Sequence, residues 1–128
     1  MMRAAVTSLA FAGVLFLASP AHSHHSNVAY EVTKVITITG AVKEFRWVNP
    51  HTWLHIMVDE ANGAKVEWQV EGRAPGVLLR AGWTKTSLKA GEKVTVDMSP
   101  AKDGTKIGII ARITKEDGTI LSNQPVLQ

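Results

Sequence analysis

The chain has 128 residues, a formal net charge of +3 and no cysteine, a length that fits one domain with a leader. The missing cysteines exclude disulfides, thiolate-held zinc, iron–sulfur clusters and a lipoprotein anchor. The basic residues are scattered and form no stripe for phosphates, which argues against nucleic acid as a partner.

The first 23 residues read as a secretory signal peptide. Met1 to Arg3 is a short basic start, Ala4 to Ala18 is apolar and uncharged, and Ser19-Pro20-Ala21-His22-Ser23 supplies small residues for processing. Cleavage after Ser23 leaves His24 as the new N-terminus, and cleavage after Ala21 leaves His22. The apolar run is shorter than the roughly 20 residues a bilayer span needs. The expectation is therefore a periplasmic or secreted domain over residues 24–128 without a lasting membrane anchor. Lacking disulfides, that domain must hold together by burial, and a chain of this size buries roughly two-thirds of its unfolded surface.

Residues 24–31 show no period and are expected to lie on the surface or against the mouth of the fold. Thr33 to Val48 is β-branched and aromatic. Ile36, Ile38 and Val42 share one parity, whereas Phe45 and Trp47 share the other. A change of face across Gly40 to Glu44 predicts a bulge that coils one long strand. Asn49-Pro50 is a corner, because proline cannot donate to a ladder and keeps its predecessor extended. A second strand, Thr52 to Asp59, places Leu54, Ile56 and Val58 on one face and Trp53, His55 and Met57 on the other, with His51 beginning that second face.

Asn62-Gly63 supplies a tight turn, and Lys65 to Glu71 returns with Val66, Trp68 and Val70 inward. Pro75 to Arg80 fits a short helix, with proline in its first turn and Gly82 at its stop. Trp83 and Leu88 are expected to plug the core. Lys93 to Ser99 and Lys106 to Thr114 are the fourth and fifth strands, and Asp117-Gly118 closes a small hairpin with Thr119 to Leu121. This order predicts a mostly β fold, a small five-stranded OB-like barrel with one short helix between strands 3 and 4. A plain β-sandwich has the same strand count, and neither fold names a function.

The most specific chemical feature is His24-His25 beside the processing site. An N-terminal histidine offers its α-amine and its own Nδ1 as a chelate. One further imidazole completes a nitrogen-rich tetragonal set suited to Cu(II). Cleavage after Ala21 would instead place His24 third, so that the amine, two amides and one imidazole wrap a square-planar ion. His51 is the favoured third ligand of the first arrangement, because it lies at a strand end that a terminus can reach. On a strand, His51 and His55 stand roughly 13 Å apart and cannot share one ion. Taken singly, His51 reads as a corner histidine bonded to backbone near Asn49, and His55 as a half-exposed strand residue. Met57 could assist Cu(I), although methionine beside tryptophan is more often packing.

The carboxylates carry less. Glu44, Glu67 and Glu71 have Lys or Arg nearby, the pattern of a solvated face, while Asp59, Glu60 and Asp117 sit in turns. Every histidine precedes residue 56 and no serine elbow is present, so the chain reads as no enzyme.

Several landmarks stand together: His24-His25-Ser26, Gly40-x-Val42-x-x-Phe45-x-Trp47-x-Asn49-Pro50-His51, Trp68 before Glu71, Pro75 to Gly82-Trp83, and Leu88-x-x-Gly91 leading to Val94-x-Val96. The arrangement resembles an uncharacterised family of short exported bacterial proteins, a domain of unknown function with a mature His-His-Ser start and an Asn-Pro-His corner. That family usually has an aromatic directly after His-His-Ser, where this chain has Asn27. Its aromatic-Asp pair is here Tyr30-Glu31. The resemblance implies a small exported β domain and supplies no activity.

Two functions follow as expectations. The first is a periplasmic copper-binding protein using His24, His25 and His51. The second is an accessory module without metal, which binds a partner protein or small ligand through a face bearing Trp47, Trp53, His55 and Met57. A barrel that binds oligosaccharide or oligonucleotide is a remote third, since it needs an aromatic platform with a basic rim.

Overall fold

The structure, a computed structural model, describes residues 29–124. Six strands and one short helix follow in order: β1 (Ile36–Arg46), β2 (Trp53–Asp59), β3 (Lys65–Glu71), α1 (Pro75–Arg80), β4 (Lys93–Pro100), β5 (Ile107–Lys115) and β6 (Ile120–Ser122). The hydrogen-bonded order is β3-β2-β1-β4-β5-β6, and an added β3–β5 pairing closes the first five strands into a barrel. That pairing is parallel and short, joining Gln69–Glu71 to Ile107–Ile109. The fold is the expected OB-like barrel with its helix after β3, and β6 is a small annex on β5.

β1 owes its double role to the predicted bulge. Residues Ile36 to Ala41 pair with β4, and Ala41 to Arg46 pair with β2. The β2 register slips between Val42 and Glu44, so Lys43 is the extra residue. The slip lets Val42 and Phe45, of opposite parity, both turn to the core. Gly40 marks the crossing: a Cβ there would press on the Met57 carbonyl, so a side chain would part β1 from β2. The corner that follows has a cis Asn49–Pro50 bond.

The core is the inward row of each strand. Leu54, Ile56, Val70, Val96, Met98 and Ile113 are completely buried, each aliphatic side chain contributing roughly 1.5–3 kcal/mol. Leu78 of α1, Trp83 and Leu88 join the buried cluster, the last two as the sequence predicts. The Trp83 ring lies 6.0 Å from that of Phe45, and its Nε1–H donates to the Ser122 carbonyl at 2.7 Å, fastening β6 to that cluster.

β1 is shorter than the run Thr33 to Val48, by three residues at its start and two at its end, and the other boundaries differ by a residue. β4 runs on through Pro100, β5 is shifted one residue later, and β6 takes in Ser122. A larger difference concerns Tyr30, which lies in the stretch read as patternless. It is 5% exposed and bridges Ala101, while the neighbouring Glu31 N–H donates to the Pro100 carbonyl. The leader and residues 24–28 lie outside the described residues.

Candidate functional site

The outer face of β2 and β3 carries two imidazole–carboxylate pairs. Alternation puts Trp53, His55 and Met57 on the face opposite Leu54 and Ile56. Their ladder partners on β3 are Glu71, Gln69 and Glu67. His51 precedes Trp53 on that face, so Glu71 is its diagonal neighbour, and Glu67 is the diagonal neighbour of His55.

At the corner, His51 Nδ1 lies 2.5 Å from Glu71 Oε1. The other carboxylate oxygen is also engaged, since the Tyr30 hydroxyl donates to Glu71 Oε2 at 2.7 Å. Burial, and then the adjacent carboxylate, push the Tyr30 phenol well above the ordinary tyrosine range. The Glu71 side chain is 7% exposed and that of His51 34%. The carboxylate is thus interior and the ring is partly exposed.

The backbone beneath this pair is fixed by the completely buried Thr52. Its N–H and its hydroxyl both donate to the Arg73 carbonyl, at 3.2 and 2.9 Å, and its own carbonyl accepts from the Gly72 N–H at 2.9 Å. The residue after His51 is therefore bolted to the residues after Glu71. A cleft of about 510 Å³ opens beside them, lined by His51, Glu71, Arg73, Val77, Ile109 and Asn123 among others.

The second pair is built differently. His55 Nδ1 and Glu67 Oε1 are hydrogen-bonded at 2.7 Å, while Lys43, the bulge residue, holds Glu67 Oε2 at 2.5 Å. The hydrogen bond from Lys43, and next that from His55, lower the Glu67 carboxyl below its usual value. Glu67 therefore already has a permanent cation, and the group is a surface ion-pair network.

Two readings of single residues need correction. His51 was expected to bond backbone near Asn49, and it meets the Glu71 carboxylate instead. Glu71 was grouped with solvated carboxylates, yet it is buried because Tyr30, from a distant stretch, covers it. Of the residues assigned to a partner face, Trp53, His55 and Met57 do share one surface and are half-buried. Trp47 is not with them: it packs against the core edge-on to Phe45, with ring centroids 5.8 Å apart. His24 and His25 lie outside the described residues. Among the described residues no group of three or more His, Asp or Glu side chains converges on a metal position, and no helix is long and apolar enough to cross a membrane. Tyr30 and Glu71 were missed as site residues. The signal was faint: a tyrosine ahead of the first strand and an acid at the very end of the third.

No curated protein matches the chain. The mitochondrial single-stranded DNA-binding protein Rim1 of S. cerevisiae has a similar structure over 70% of this chain and 95% of its own, with 15% sequence identity and a TM-score of 0.48. Residues 12–111, spanning most of the barrel and the corner with His51, match one family model, and the chain belongs to that group, the Family of unknown function (DUF6152).

Proposed function

We propose that this is an exported copper-binding protein that holds Cu(II) between its processed N-terminus and His51. The observation that carries the reading is the Tyr30–Glu71–His51 set. Glu71, itself buried, pairs with Nδ1 of the partly exposed His51 and accepts from the Tyr30 hydroxyl. Tyr30 brings the start of the described chain to the same carboxylate. His25 precedes Tyr30 by five residues, and so short a segment spans at most about 17 Å when extended. A free amine, the Nδ1 of His24 and the Nε2 of His51 form a nitrogen-rich set of the kind Cu(II) prefers, with His25 as a further imidazole. In this reading Glu71 and Tyr30 are positioning residues that touch no metal.

The test is titration of the exported, processed protein with Cu(II), followed by calorimetry and electron paramagnetic resonance. The expected spectrum shows nitrogen couplings that decrease in His51→Ala, and affinity falls when one methionine precedes His24. Affinity and spectrum unchanged in both variants refute the proposal. Mass spectrometry of the mature N-terminus identifies the first residue.

A further inference from the structure

The cleft beside His51 has a second feature that the copper reading leaves unused. The backbone of Arg73 is held from three directions. Its carbonyl accepts from the N–H and hydroxyl of Thr52, and its N–H donates to Asn123 Oδ1 at 3.1 Å. Asn123 is itself buried, and its Nδ2 donates to the Ile110 carbonyl at 2.8 Å. The residue is thus fastened at once to the corner, the seam of the barrel and the chain after β6.

Its side chain is treated in the opposite way. Arg73 is exposed and lines the cleft, and its guanidinium meets one neutral partner, the Gln124 Oε1, at 3.3 Å. Among the described residues no carboxylate forms an ion pair with it. The nearest acid in the cleft, Glu71, has one oxygen engaged by Tyr30 and the other by His51, and it is nearly covered. The cleft wall therefore presents a cation on a fixed backbone, without a counter-charge among the described residues.

From this geometry we infer that the cleft is a binding site for a small carboxylate, with Arg73 as its charge partner. A guanidinium offers two parallel N–H donors that match the two oxygens of a carboxylate, so planar oxyanions are preferred over spherical ones. A volume of about 510 Å³ admits a molecule of a few carbon atoms. The inference does not depend on copper, since Arg73 belongs to no proposed metal ligand set.

Malonate titrated into the metal-free full chain, recovered by export and followed by amide chemical shifts, tests the site at low ionic strength. Saturating shifts at Gly72, Arg73, Ala74 and Asn123 are expected, with chloride at least tenfold weaker. Arg73→Gln should weaken malonate at least tenfold. It keeps every backbone hydrogen bond named above, so shifts elsewhere should stay at their original positions and report an intact fold. Non-saturating shifts, equal binding of chloride, or undiminished binding in Arg73→Gln overturn the inference. Because no metal is present, neither result bears on the copper proposal.

Discussion

His51 and His55 stand on one face of one strand, and each meets a carboxylate on β3, yet the two pairs are different objects. Glu71 is buried, is shared with a tyrosine, and has no lysine or arginine in its contacts. Glu67 is a quarter to a third exposed and is shared with Lys43. A carboxylate already matched by an ammonium group gains little from an imidazole. A buried one without such a partner depends on it. The same two residue types at similar spacing thus give a surface ion-pair network in one place and an oriented ring in the other.

The largest difference between the pairs should appear in stability. Glu71→Ala leaves the Tyr30 hydroxyl buried without an acceptor and frees His51, at a cost of about 3 kcal/mol. Urea denaturation would show the midpoint falling, whereas Glu67→Ala should leave it close to wild type. Equal midpoints for the two variants would erase the distinction. Next comes metal affinity. His51→Ala is expected to lower Cu(II) affinity at least tenfold by calorimetry, and His55→Ala to leave it unchanged.

Alkaline stability is a finer probe. The folded chain disfavours ionisation of Tyr30, so its protonated phenol contributes stability that is whole below the ordinary tyrosine value near 10. That contribution is lost as pH rises through the raised value. Tyr30→Phe should start less stable by about 1–2 kcal/mol and lose less on going from pH 9 to pH 11 than the wild type. Parallel pH curves would remove Tyr30 from the set.

The smallest effect belongs to Glu67. Its lowered carboxyl contributes stability above the ordinary glutamate value that disappears as pH falls through the lowered one. Glu67→Gln should flatten the acid limb slightly below about pH 4.5, and added salt should shrink the difference, because exposed pairs are screened.

The barrel was legible in the chain because its signals are local. Alternation in Leu54, Ile56 and Val58, the parity change between Val42 and Phe45, and proline ahead of Val77-Leu78 each report their own element. His51 was visible as a corner residue for the same reason. Glu71 was not, because alternation says which face a side chain takes and never what lies on it. Its cover is Tyr30, 41 positions away, on a stretch without periodicity. Trp47 was misplaced for a related reason: the irregular residues after β1 follow the packing of Phe45 and leave the parity of β2.

The parallel seam between β3 and β5 ends on Glu71, opposite Ile109. The last rung that seals the cylinder therefore carries the very carboxylate that sets His51. The same residue therefore ends the ladder that closes the barrel and holds the corner histidine, so one substitution at Glu71 acts on closure and pairing together.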